Sequence, residues 1–259
     1  PASGSVGVGI PATLDHETGH AISTVNLDLE DVPIGEMLSE QVGLPVAIDN
    51  DGNLAMLAEA LYGAARGADH ALLLTIGTGI GGGIIHDGRL FTGGNGLGGE
   101  VGHMAIDPRG PKCSCGNTGC LEVMASGTAI ARRARERLAD GELSVMREWL
   151  GEDVAAVTAR DVTQAAHRGD ALAISLYREV GATIGSALVN LMYLLNPSLF
   201  VLGGSVTLAG DLLFGPMREA VASRAPAAYR EQIRIVPAEL GGDVGLWGAL
   251  ALCMMTQRA

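Results

Sequence analysis

Positive charge is in short supply in this chain. Seventeen Lys and Arg stand against 29 Asp and Glu, a formal net charge of −12 at pH 7. Such a surface repels phosphate backbones, which argues against nucleic-acid binding by these 259 residues. Long apolar runs are missing as well. The most apolar stretch, Leu188 to Leu202, is interrupted by Asn190 and by Asn196-Pro197, so it does not read as a membrane span. No signal-peptide pattern is visible, no short-period repeat and no low-complexity segment. Cysteine is scarce: there are four, and three of them crowd between Cys113 and Cys120. That usage fits ligands in a reducing cytoplasm better than a secreted disulfide framework. The fourth, Cys253 in an apolar run, reads as a small buried hydrophobe.

What the chain has in quantity is apolar residues, 47%, and glycine, 38 in number. That is material for a sizeable core with many tight turns, in one large domain or two lobes. Val6 to Ile10 reads as a buried strand. Residues 12 to 33 follow as a polar excursion containing Asp15-His-Glu-Thr-Gly19 and Val25-Asn26-Leu27. The apolar period of Ile34 to Val42 predicts a helix closed by Gly43. Pro45 to Ile48 is a short strand running into Asp49-Asn50-Asp51-Gly52-Asn53, and a helix is expected from Leu54 to Ala65. Gly67 to His70 reads as a hinge. It divides residues 1–66, the remainder of an N-terminal α/β lobe, from a C-terminal α/β lobe, residues 67–259, whose last helix is expected to pack back on the first. The chain opens at Pro1 without Met and enters a strand almost at once, so the expectation is that further N-terminal strands precede these residues.

Ala71 to Ile76 is a strand followed by Gly77-Thr-Gly-Ile-Gly-Gly-Gly83. Gly77, Gly79 and Gly82 match G-x-G-x-x-G in form, but a dinucleotide fold needs a helix directly afterwards. Here Ile84-Ile85 and Asp87-Gly88 follow, a hairpin signal. The surviving expectation is a strand–glycine turn–strand whose free N–H groups can cradle phosphate oxygens; a plain glycine-rich hairpin is the alternative. Beyond residue 127 the chain reads as mainly helical. Arg132, Arg133, Arg135 and Arg137 form a solvated basic face, and Gly181 and Gly185 allow close helix packing. A strand from Ser198 to Leu202 ends in a second glycine turn, Gly203-Gly204.

The densest chemistry lies between Gly98 and Glu122. His103, Cys113, Cys115 and Cys120 follow H-x9-C-x-C-x4-C, a zinc loop spanning 103–120. Three thiolates and an imidazole complete a tetrahedron about Zn²⁺ with no open position, which makes the ion structural. Cys113 and Cys115 are poorly placed to bond each other and three thiols cannot pair evenly; disulfides or ordinary buried thiols are the alternatives. Asp51, at a polar corner after a strand, can take a proton from an attacking hydroxyl. Asn50 offers both a donor and an acceptor to a polyol, and Glu100 and Glu122 are strong acceptors for sugar hydroxyls. Cradle, base and acceptors together describe phosphoryl transfer to a sugar, with Mg²⁺ accompanying the nucleotide.

From Val6 to its C-terminus the chain resembles the ROK family of repressors, open reading frames and sugar kinases. The resemblance rests on Asp49-Asn-Asp-Gly-Asn53, Gly77-Thr-Gly-Ile-Gly-Gly-Gly83, Gly99-Glu-Val-Gly-His103 and Cys113-x-Cys-Gly-x-x-Gly-Cys-x-Glu122. It implies a two-lobed actin/hexokinase-like (ribonuclease H-like) α/β fold closing on a cleft. It implies Asp51 as the base at a hexose 6-hydroxyl, with Asn50, Glu100, His103 and Glu122 holding the sugar. His103 would bind zinc with one ring nitrogen and face the sugar with the other. Gly77, Thr78 and Gly79 would meet ATP phosphates, and Gly203 and Gly204 the adenosine. The expected activity is an ATP-dependent hexose kinase of glucokinase type, in a cytoplasmic homodimer. N-acetylmannosamine or N-acetylglucosamine kinases, and a sugar-responsive repressor with its DNA-binding part elsewhere, are the alternatives. Two departures stand out. No D-x-G-G-T phosphate loop occurs here, and Pro11-Ala12 replaces the family's usual Pro-Gly.

Overall fold

Alternation of side chains along two strands decides how the central sheet is covered. The computed structural model describes residues 4–15, 18–24, 29–151 and 153–256. In it β6 (Ala71–Ile76), β7 (Ile80–His86) and β8 (Arg89–Leu90) form an antiparallel meander, and β9 (Leu199–Gly203) and β10 (Arg234–Pro237) add parallel strands, giving the order β10-β9-β6-β7-β8. Leu72, Leu74, Ile76, Phe200 and Leu202 point to one face, into the largest core cluster. Ala71, Leu73, Leu199 and Val201 point to the other, as the two-residue period of a strand requires. Each large side chain buried there contributes roughly 1.5–3 kcal/mol.

The first face carries α3 (Leu121–Ala125), α4 (Gly127–Ala139), α5 (Val145–Leu150), α6 (Ala159–His167), α7 (Ala171–Leu195) and α8 (Asp211–Arg224), with the short α9 (Ala227–Arg230) beyond. By length and composition α7 could cross a membrane, yet 61% of its apolar window is buried against its neighbours, as in a core helix. Gly181 and Gly185 let the α8 backbone approach at Leu213 and Met217. Thr158 and Asp161 make a capping box on α6, and Asp170 caps α7 while also accepting from the Val145 N–H at 2.9 Å. The arginines of α4 are not a plain solvated face. Arg133 pairs with Glu179 on α7, Arg137 reaches Glu142 and Ser175 Oγ, and Arg135 Nε donates to the Val157 carbonyl at 2.8 Å. Arg132 pairs with Glu136 on its own helix and donates to the Val123 carbonyl, and Arg135 remains exposed.

Ahead of the central sheet, β1 (Val6–Ile10) pairs in parallel with β5 (Val46–Asn50). Between them residues 12 to 33 are not a polar excursion: β2 (Ala12–Asp15), β3 (His20–Thr24) and β4 (Glu30–Val32) form an antiparallel sheet. Ala12, Leu14 and Ala21 face a small core with Ile10, while the intervening polar residues mask the alternation. His16, Glu17 and residues 25–28 lie outside the described residues. Helix α1 (Ile34–Val42) ends as expected on Gly43, whose φ is 67°. Helix α2 (Asp51–Tyr62) starts three residues before its apolar period and packs through Ala55 and Met56 on β6 and β7. The last helix, α10 (Val244–Thr256), lies against α2 and β1, with the Trp247 and Tyr62 ring centroids 5.1 Å apart. On it Cys253 is half-buried rather than enclosed, its thiol 3.5 Å from the Ser5 carbonyl.

Candidate active site

The corner between β5 and α2 is fixed by its own side chains. Asn50 is the N-cap: its Oδ1 accepts from the Gly52 N–H at 2.8 Å, and its Nδ2 donates to the Ala12 carbonyl at 3.3 Å. Buried Asp49 accepts from the Asn50 N–H at 2.7 Å and from Asn53 Nδ2 at 2.8 Å. Asp51 is therefore not in a loop but in the first turn of α2, exposed, where a negative charge meets the positive end of the helix dipole. This end of α2 rests on β7: a Cβ on Gly52 would stand 2.4 Å from the Gly82 carbonyl oxygen.

Beside the corner opens a cavity of about 240 Å³, walled by Ala12, Thr13 and Leu14 of β2, by Asn50, Asn53 and Gly82, and by the segment from Gly96 to Glu100. Asn53 and the Gly96–Gly99 segment carry no role in the sequence reading. Asn53 is four residues from Asp49, across the β5–α2 junction, and its place in the Asp49–Asn53 run was the available signal. Asp51, His103 and Glu122 are not among the lining residues. His103 is joined to the wall through Glu100, its Nε2 4.0 Å from Glu100 Oε2.

Glu122 instead meets the glycine turn. Its Oε2 accepts from the Ile80 N–H at 2.9 Å. The turn itself is Gly77-Thr78-Gly79, while Gly81, Gly82 and Gly83 belong to β7. The Gly77 N–H bonds the Gly79 carbonyl at 3.0 Å, and from α4 Gly127 N–H and Thr128 Oγ1 donate to the Gly77 and Thr78 carbonyls at 2.7 and 2.8 Å. Among the described residues the N–H groups of Thr78 and Gly79 find no acceptor. The second glycine turn stands alongside, because β9 pairs with β6 through Thr75 and Gly203. Gly204, at φ 92°, lies so close to Ile76 that a Cβ would sit 2.4 Å from its carbonyl oxygen.

Behind Glu100 the ligand atoms of His103, Cys113, Cys115 and Cys120 all lie within 4.8 Å of one another. Cys113 Sγ is 3.6 Å from His103 Nδ1, and the sulfurs of Cys115 and Cys120 are 3.7 Å apart. A disulfide needs about 2.05 Å. Sulfurs bound tetrahedrally at about 2.3 Å from one ion stand roughly 3.8 Å apart, so the spacing suits a shared divalent metal. Burial and the neighbouring thiols push Cys120 up to about 12 in the metal-free cluster, while the backbone of Asn117 lowers Cys115. A buried thiol that holds its proton as firmly as Cys120 needs a cation to become a ligand.

A sequence model of the ROK family matches residues 2–256. The chain belongs to the ROK family. It is 37% identical over 248 residues to a glucokinase of Thermotoga maritima, covering 95% of this chain and 78% of that one. It is also 34% identical over 247 residues to the DNA-binding transcriptional repressor Mlc of Escherichia coli, covering 95% of this chain but 59% of the repressor. A ROK family glucokinase from Streptomyces griseus, solved with glucose and AMPPNP, superposes with a TM-score of 0.89 at 32% identity, over 97% of this chain and 82% of that one. The fold is thus the actin/hexokinase-like α/β fold of ROK sugar kinases.

In ROK terms the site has three parts that chain order keeps far apart: the Asp49–Asn53 corner, the β6–β7 turn and the cysteine loop. Two contacts join them, Gly52 on Gly82 and Glu122 on Ile80. A carboxylate, a cavity edged by Asn50, Asn53 and Glu100, and a turn with unpaired N–H groups, gathered about the α2–β7 contact, can orient a polyol beside a phosphate.

Proposed function

We propose that this ROK protein transfers the γ-phosphoryl group of ATP to the 6-hydroxyl of a hexose, as a glucokinase. The observation that carries the reading is the seating of Asp51 at the N-terminus of α2, against the glycine-bearing strand and beside a cavity lined by Asn50, Asn53 and Glu100. Asp51 is the base that takes the 6-hydroxyl proton as that oxygen attacks the γ-phosphorus and ADP leaves. Asn50, Glu100, His103 and Glu122 hold the sugar, the N–H groups of the Gly77-Thr78-Gly79 turn meet the phosphates, and Gly203 and Gly204 meet the adenosine. Glu122 has one carboxylate oxygen on the turn, which leaves the other for the sugar. His103, Cys113, Cys115 and Cys120 fit a structural Zn²⁺, with Nδ1 toward the cysteines and Nε2 toward Glu100. Mg²⁺ comes with ATP and neutralises charge on its phosphates. Lobes of residues 1–66 and 67–259 close the cleft, in a cytoplasmic homodimer.

The likeness to a repressor favours a second reading, a sugar sensor. A sensor has no need of a base at Asp51 or of a phosphate turn with unpaired N–H groups, and both are here. The test is a coupled ADP-release assay of the whole protein on glucose, mannose, N-acetylglucosamine and N-acetylmannosamine. Hexose-dependent ADP release, fastest on glucose, is expected. Sugar binding without ADP release points to the sensor, and fastest release on an N-acetylated sugar replaces the glucokinase assignment with an amino-sugar kinase.

A further inference from the structure

A second group of metal-binding side chains lies away from this site, at the opposite end of β6 and β7. These strands pair antiparallel with Ala71 opposite Ile85, so continuing the register sets His70 opposite His86. Their rings approach edge to face with centroids 4.9 Å apart. The next residue, Asp87, turns the chain with a φ of 50°, which brings its carboxylate back over the pair. Its Oδ1 lies 3.5 Å from His70 Nε2 and its Oδ2 3.7 Å from His86 Nε2. One donor atom from each of the three residues falls within a 4.8 Å group. Both sides are held by main chain: His70 O accepts from the Ser198 N–H and Oγ, and the Gly88 N–H donates to the Asp69 carbonyl at 3.0 Å.

From this we infer that His70, His86 and Asp87 form a surface site for a borderline divalent cation such as Zn²⁺, Co²⁺ or Ni²⁺. Two imidazoles and one carboxylate suit these ions, and Mg²⁺, a hard cation that prefers oxygen, does not compete for them. The two imidazole–carboxylate separations, 3.5 and 3.7 Å, compare with the roughly 3.4 Å edge of a tetrahedron with bonds near 2.1 Å, and one donor from each residue lies within 4.8 Å of the others, a spread that side-chain rotations close. The other coordination positions face solvent, since His70, His86 and Asp87 are 40%, 54% and 78% exposed. An ion here clips the connector before β6 to the β7–β8 turn. The inference is independent of the kinase reading, because none of the three residues belongs to the catalytic corner, the glycine turns or the cysteine loop.

Calorimetric titration with Ni²⁺ tests it, on protein whose cysteine cluster is already loaded with zinc. The unsubstituted protein should take up about one further equivalent. His70→Gln and His86→Gln should each weaken that uptake about tenfold or more while leaving the metal-free Tm unchanged, and Mg²⁺ should give no such isotherm. In parallel, substoichiometric Ni²⁺ should broaden the imidazole NMR resonances of His70 and His86 before those of the other histidines. Absence of a further equivalent, an identical isotherm in both variants, or broadening that spares this pair overturns the site.

Discussion

The Asp49–Asn53 corner and the cysteine loop are shaped by different forces. At the corner, main chain does the work: a strand ends, a helix begins, and Asn50 and Asp49 satisfy the orphan N–H groups of the junction while Leu54 and Met56 anchor the helix in the core. Between His103 and Cys120 there is only one 3₁₀ turn, two isolated bridges and a succession of tight turns. Four side chains converge there from a segment with little core of its own. A region built by hydrogen bonds and packing keeps its shape when one functional side chain is changed. A region built by ligation loses its shape with its ligand. Activity and stability should therefore separate at the corner and stay coupled in the loop.

Asp51→Asn gives the largest effect and the cleanest separation. It is close to isosteric and exposed, and the cap comes from Asn50, so the thermal midpoint should stay within a degree or two. Loss of a general base should lower kcat by about 10²–10⁴-fold with hexose affinity unchanged. Steady-state kinetics beside sugar-binding calorimetry reads both; turnover near that of the unsubstituted enzyme removes Asp51 from the base role.

The loop should behave in the opposite way. Cys115→Ser should lose metal and stability together, by several kcal/mol, and chelation should imitate it. A stable, metal-free, active variant would reject the structural-metal reading. The stripped protein also has a pH signature. In the folded chain Cys120 is held up to about 12, above the ordinary thiol value of 9.0, so its protonated form is the favoured one. That contribution is full below pH 9 and declines as pH rises from about 9 toward 12, as the unfolded chain ionises first. Metal-free protein should thus lose thermal stability in alkali, whereas loaded protein should lose it in acid, where protons compete for the ligands. Thermal melts across pH, with and without chelator, check the two signs.

Glu122 tests the joint between the two regions. Its bond to the Ile80 N–H ties the end of the cysteine loop to the Gly77–Gly79 turn. Losing a charge-assisted hydrogen bond costs about 1.5–3 kcal/mol, so Glu122→Ala should raise KM for ATP roughly 10–100-fold. A rise confined to the hexose KM would mean that the carboxylate serves the sugar alone.

How much of this was legible beforehand follows from the same contrast. The Cys/His spacing announced that His103, Cys113, Cys115 and Cys120 would cluster, and the β-branched pair with Asp87-Gly88 announced a hairpin in place of a dinucleotide fold, because local chemistry determines both. The β2–β4 sheet was hidden, since polar residues alternate with its few apolar ones and length alone looked like a loop. The start of α2 was hidden because capping by Asn50, not apolar period, sets it. The Gly96–Gly99 wall was illegible, since only packing brings residues so distant in sequence from Asn50 and Asn53 onto one cavity.

Asn50 carries the smallest expected effect and the finest distinction, for it serves the scaffold and the site through different atoms. Its oxygen caps α2, and its nitrogen bonds the Ala12 carbonyl on the cavity wall. Asn50→Ala removes both and should cost about 1 kcal/mol of stability, the usual worth of an N-cap. Asn50→Asp keeps the capping oxygen and gives up the donor, so stability should change by only a few tenths of a kcal/mol. If the nitrogen only braces the wall, sugar affinity should drop equally in the two variants. If the carboxamide also meets a hydroxyl, Asn50→Asp should retain part of the affinity that Asn50→Ala loses, because a carboxylate still accepts. Chemical denaturation and sugar calorimetry on the pair separate the cap from the contact.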